Sequence, residues 1–114
     1  MNRTFFLILA LLIMSLFSSS QNANAGYMKG TELMNALEEV MTNKTTYDSV
    51  NVVGYIIGVS DTGAEVLFSI PEGATVNQII HITYNYMKKN PDKWNQPANY
   101  CIIEALVETW PLKK

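Results

Sequence analysis

The sequence predicts an all-α protein: a small helical bundle of about four to five helices after a cleaved signal peptide. Three observations carry that expectation. Thr75-Val76-Asn77-Gln78 spells a capping box, in which a hydroxyl and an amide side chain each satisfy an orphan backbone N–H. Apolar residues recur at helical spacing, at Val76, Ile79, Ile80, Thr83 and Met87 and again at Leu33, Leu37, Val40 and Met41. The prolines and most turn glycines fall between these stripes, where helices start and stop, rather than inside them.

The chain opens with a short basic start, Asn2-Arg3-Thr4, an apolar run over 5–17 and a small, polar stretch over 18–24. Ala23-Asn24-Ala25 fits the A-x-A cleavage pattern, so residues 1–25 are expected to be removed and the mature chain to begin at Gly26. The apolar run is shorter than the roughly 20 residues needed to span a bilayer, which argues against an uncleaved anchor. The expected destination is the periplasm, with no membrane association after cleavage. Residues 26–114 then form one small domain. The full chain carries 8 Lys+Arg against 10 Asp+Glu, and its single arginine, Arg3, leaves with the leader. No basic patch remains, which excludes nucleic acid as an expected partner.

Within the domain, the first helix is amphipathic, introduced by Gly30-Thr31 and closed near Thr42-Asn43, with Glu38 and Glu39 outside its apolar face. A polar loop is expected over 43–48. Residues 49–59 read two ways. Their β-branched content suits a strand, whereas their lack of alternation favours a helix that is apolar nearly all round and therefore central and buried. The exception on that helix is a stripe of Asn51, Gly54, Gly58, Asp61 and Glu65. Two glycines four residues apart allow close approach of another backbone, so Asn51, Gly54 and Gly58 are the expected contact, either within the chain or across a two-fold axis. Thr62-Gly63-Ala64 is expected to break the helix and 61–72 to form a loop that is flexible at Gly63.

Pro71 and Gly73 then make a turn before the capped helix. Lys88 and Lys89 complement that helix's C-terminal dipole, and Asn90-Pro91 ends it, Asn90 being expected in the left-handed conformation. Residues 92–96 form a short polar connection carrying Trp94. Pro97 is expected at the first position of the last helix, which ends before Trp110-Pro111.

Chemistry-bearing residues are sparse. His81 is the sole histidine and falls opposite the apolar face of its helix, and Cys101 is the sole cysteine, so no intramolecular disulfide can form. A Cys/His pair lacks a supporting motif and a third group. One His and one Cys with scattered carboxylates cannot make a closed zinc site, and no phosphate loop is present, so neither a metal nor another cofactor is expected. Glu104 and Glu108 read as a solvated pair on an exposed face. A small domain without a disulfide gains stability by pairing, which makes a homodimer the expected assembly.

The ordered segments Gly30-Thr31-Glu32-Leu33, Gly54-Tyr55-Ile56-Ile57-Gly58-Val59-Ser60-Asp61, Pro71-Glu72-Gly73-Ala74-Thr75-Val76-Asn77-Gln78, Tyr86-Met87-Lys88-Lys89-Asn90-Pro91, Gln96-Pro97-Ala98 and Trp110-Pro111 resemble the Rap/Tai family. These are periplasmic immunity proteins against type VI secretion amidase effectors. The resemblance implies a helical, commonly dimeric, non-enzymatic protein that covers the active-site cleft of a peptidoglycan amidase. Family members often carry paired cysteines, one after the final proline, where this chain has Leu112. The alternative function is a general periplasmic binding or chaperone-like protein, and a small Cys/His enzyme is the remote third. Loops are the usual place for recognition, so partner contact is expected at Asp61, Glu65 and Glu72 on one loop and at Trp94 and Asn95 on the other.

Overall fold

The computed structural model describes residues 3–5, 7–11 and 28–114. Residues 3–5 and 7–11 are helical and exposed, and the expected cleavage site at Ala23-Asn24-Ala25 lies outside the described residues. Four α-helices and one 3-10 turn make up the rest: α1 (Gly30–Met41), α2 (Tyr47–Gly63), α3 (Val76–Lys89), the turn Pro91–Lys93 and α4 (Ala98–Thr109). No described helix is long and apolar enough to cross a membrane. Each helix packs against the other three, with α1 on α2 and α3 on α4 as the most extensive pairs.

Helix starts follow local chemistry. At α3 the Thr75 hydroxyl accepts from Gln78 N at 3.2 Å while Thr75 N donates to Gln78 Oε1 at 2.8 Å. A second box, with a serine in place of the usual Glu or Gln, starts α2. There Thr46 Oγ1 accepts from Ser49 N at 3.0 Å, and Thr46 N donates to Ser49 Oγ at 2.9 Å. This corrects the expected polar loop over 43–48, because Tyr47 and Asp48 are already helical. Segment 49–59 is helical, as the pattern favoured.

Two helix ends differ from expectation. Asn90 sits at φ −127°, ψ 63°, outside the left-handed region, with its Nδ2 donating to Tyr86 O at 2.8 Å. Pro91 disfavours helical backbone at the residue before it, and that suffices to stop α3. Pro97 is the N-cap of α4, at ψ 141°, and the helix begins at Ala98.

The core is one cluster built from all four helices. Leu33, Leu37, Val52, Ile56, Met87, Ile102 and Leu106 are fully buried. Thr83 and Ser60 are buried too, and each satisfies its hydroxyl by donating to the carbonyl four residues back, Ile79 O at 2.9 Å and Ile56 O at 2.7 Å. Gly30 packs where no side chain fits, since a Cβ there would lie 2.7 Å from Trp94 O.

The segment expected as a flexible loop over 61–72 is a fixed turn. Asp61 and Gly63 belong to α2, and Gly63 is buried against the Phe68 ring. Phe68 is fully buried, bridges Ala64 and Pro111, and ties the turn to the C-terminal end of the chain. Ser69 N donates to Trp110 O at 3.0 Å, and Ser69 Oγ accepts from Lys113 N at 3.0 Å. An aromatic side chain inserted in the core leaves the backbone little freedom. Pro71 O accepts from Ala74 N, with Gly73 at φ 85°, so the proposed Pro-Gly turn is present.

Candidate binding groove

Helix α2 is not central. Val52, Ile56, Ser60 and Gly63 face the core, while Tyr47, Val50, Asn51, Gly54, Gly58 and Asp61 face solvent. The expectation of a helix buried all round is thereby corrected. The stripe of Asn51, Gly54, Gly58 and Asp61 is exposed, and the apolar Val50 is exposed beside it, while Val53, Ile57 and Val59 are only half-buried.

An open groove of about 600 Å³ runs along this outer surface, between the second half of α2, the start of α4 and the turn after α2. Gly54 and Gly58 line one side, with Tyr55 and Val59 beside them, and Ile103 lines the other. Val66 and Leu67 form the lip, and both are exposed, Val66 at 67%. At Gly54 and Gly58 nothing among the described residues, beyond the helix's own adjacent backbone, lies within 4 Å of an added Cβ. Close packing among the described helices therefore does not account for these glycines.

The lip is held rather than loose. Glu65 adopts φ 64°, a left-handed conformation unusual for a residue with a side chain. Its N–H donates to Phe68 O at 2.7 Å, and Gly63 O accepts from both Val66 N and Leu67 N. Two apolar side chains are thus presented to solvent on a turn anchored by a core aromatic. No charged residue lines the groove; Asp61 and Glu65 are exposed, each next in sequence to a lining residue, Thr62 and Val66. Asn99, on the wall, has a buried Oδ1 with no hydrogen-bond partner.

The remaining sequence candidates lie elsewhere. Asn51 lines a separate polar hollow of about 310 Å³ with Glu32, Glu39 and Asp48. Glu72 is exposed on the Pro71–Ala74 turn. Asn95 is exposed on the connection before α4, but its neighbour Trp94 is half-buried, with Nε1 donating to Met87 O at 2.7 Å. Trp94 O accepts from Thr31 Oγ1, so this residue ties the start of α1 to the last turn of α3. Its place is structural, over the helix ends. Val66, Leu67, Ile103 and Asn99 carried no sequence signal that marked them as a surface. Their one local hint is that Val66-Leu67-Phe68 is apolar throughout and only one of the three can occupy the core from a tight turn.

The titratable candidates are separated too. His81 is exposed, its Nδ1 within 2.8 Å of Asn77 O. Cys101 is free and fully buried, and burial, with Glu104 nearby, pushes its thiol pKa up. Glu104 corrects the expected solvated pair: it is half-buried and accepts a hydrogen bond from Tyr86 Oη across α3 and α4. Burial first, and then that bond and the carboxylate charge, raise the Tyr86 phenol above its ordinary value of 10.0. Among the described residues no group of three or more His, Cys, Asp or Glu is placed to hold a metal ion.

A family model described as Rap1a immunity proteins matches residues 29–112, from the residue before α1 to the residue after Pro111. The chain belongs to the Rap1a immunity protein family. The match covers all four helices and the anchored turn after α2, so the resemblance read from the ordered segments holds across the described domain. Comparison with curated proteins gives no match. Membership in an immunity family implies that the chain binds a cognate effector, which makes its available surfaces the functional question.

Proposed function

We propose that this Rap1a immunity protein acts in the periplasm, where it binds a type VI secretion peptidoglycan amidase and covers its active-site cleft. The observation that carries the reading is the family match over residues 29–112. A basic start, an apolar run and an Ala-x-Ala site support export to the compartment where peptidoglycan is cut. Protection by occlusion needs surface and not chemistry. The buried Cys101, with its thiol pushed up, is the reverse of an activated nucleophile, which supports a non-catalytic role. Asp61, Glu65 and Glu72 are exposed and acidic, suited to steering association with a basic cleft rim. A homodimer is part of the proposal, because a small domain without a disulfide gains stability from further buried area.

The test is protection in living cells. An amidase directed to the periplasm should lyse its host, and co-expression of the full chain should prevent lysis. Deleting residues 1–25 should abolish protection while leaving binding in vitro intact. A chain that binds apolar peptides broadly but protects against no amidase would instead be a general periplasmic binding protein.

A further inference from the structure

We infer that residues 110–113 form a strap that holds the turn between α2 and α3 shut, so that the C-terminal end of the domain sets the position of the groove's lip. The inference is independent of any effector, because it concerns how this chain holds its own turn.

The strap's contacts fall on two consecutive residues of the turn. Phe68 forms an antiparallel bridge with Pro111, Ser69 N donates to Trp110 O at 3.0 Å, and Lys113 N donates to Ser69 Oγ at 3.0 Å. Ser69 is only 5% exposed, and both its backbone N–H and its hydroxyl oxygen take these partners from the strap. Removing the partners would leave a buried donor and a buried acceptor unsatisfied, and the turn would have to open to solvate them. The strap is rooted at its start, where Trp110 N donates to Leu106 O at 2.7 Å and the indole packs against the core. From Pro111 onward its residues are exposed, so bonds rather than burial keep it closed.

The flanking helices secure their own ends. Ala64 N donates to Ser60 O at 3.0 Å where α2 finishes, and the Thr75–Gln78 box starts α3 without help from the strap. Ala74 N donates to Pro71 O at 3.1 Å in the short turn before that box. Opening is therefore confined to the segment between, a local unit whose stability can lie below that of the bundle. That unit carries Val66 and Leu67, two residues that line the groove. Its release changes the groove's shape while the four helices stay packed. The Phe68 ring holds the turn from the inside and the strap holds it from the outside, and experiment can separate the two.

Amide hydrogen exchange on protein expressed from the full sequence, compared with two variants, makes that separation. One variant ends at Trp110, which keeps the indole and removes Pro111 and Lys113. The other, Ser69→Ala, keeps the chain length and removes the Lys113 bond. The diagnostic amides are Val66 and Leu67, which donate to Gly63 O, and Glu65, which donates to Phe68 O, because neither variant deletes their partners. Exchange at these three should rise about tenfold in the shortened chain and in the same direction in Ser69→Ala, with the amides of Leu37 in α1 and Thr83 in α3 unchanged. Unchanged exchange at 65–67 in both variants would overturn the strap, because Phe68 alone would then hold the turn. Equal acceleration throughout α1 and α3 in Ser69→Ala would overturn it as well, since the turn would not be separable from the bundle. If shortening unfolds the chain, Ser69→Ala alone decides between these results.

Discussion

Single residues fix the geometry at two places where the chain crowds itself. Gly30 lies against the Trp94 backbone, so Gly30→Ala would force a Cβ to within 2.7 Å of Trp94 O. Overpacking of this kind costs about 1–3 kcal/mol, and chemical denaturation should show that loss. Trp94→Ala removes the indole and its bond to Met87 O, with an expected cost of roughly 2–4 kcal/mol, near the range for large aromatic truncations. Loss of effector binding in that variant therefore has to be read beside its stability. Protons are held by Cys101 and Tyr86 more tightly in the folded chain than in the unfolded one, since burial raises both. Their contribution is complete below the unfolded cysteine value of about 8.5 and is lost as pH rises through the folded values. Melting temperature should hold from pH 7 to 8 and fall progressively above pH 9. Tyr86→Phe and Cys101→Ala should each flatten that alkaline fall.

At the scale of elements, the helix caps make the sharpest contrast with the exposed glycines. Thr46 and Thr75 each complete a reciprocal capping box, so Thr46→Ala and Thr75→Ala should each cost about 1 kcal/mol. Gly54→Ala should do the opposite and stabilise by roughly 0.5–1 kcal/mol, because nothing occupies the space and alanine is the better helix former. Thermal melts of the three variants check both signs. What the sequence revealed followed contact range. The Thr75–Gln78 box, the Pro71-Gly73 turn and the C-terminal end of α1 depend on residues within a few positions, and all are readable. The Thr46–Ser49 box is equally local but carries no usual sequence mark, because its third helical position holds serine in place of Glu or Gln. The turn after α2 was misread as a flexible loop, since its rigidity comes from Phe68 meeting Pro111, far along the chain. Glu104 was misread likewise, its partner Tyr86 lying on another helix.

At the scale of the whole molecule, one side of a four-helix domain is built for stability and another is left open. Leucine, isoleucine and methionine side chains from all four helices close the core, while the outer face of α2 shows glycines and an apolar lip to solvent. The glycine stripe was visible in the sequence, but its meaning was not. Only the arrangement of α4 and the anchored turn shows that the stripe borders a groove instead of a helix crossing. Of the partner residues read from sequence, Asp61 and Glu65 fall beside that groove, whereas Trp94 belongs to the clamp over α1. Light scattering should give the mass of a pair for the wild-type mature chain, and a monomer at high concentration would remove the dimer from the account.

Titration of a purified amidase, cutting peptidoglycan, with increasing amounts of the mature chain tests the central claim most directly. Occlusion predicts a linear loss of hydrolysis that reaches completion at an equivalent of binding sites. It also predicts recovery of full activity, with an intact amidase, once the complex is separated. Undiminished hydrolysis at excess immunity protein, or permanent chemical modification of the amidase, would contradict it.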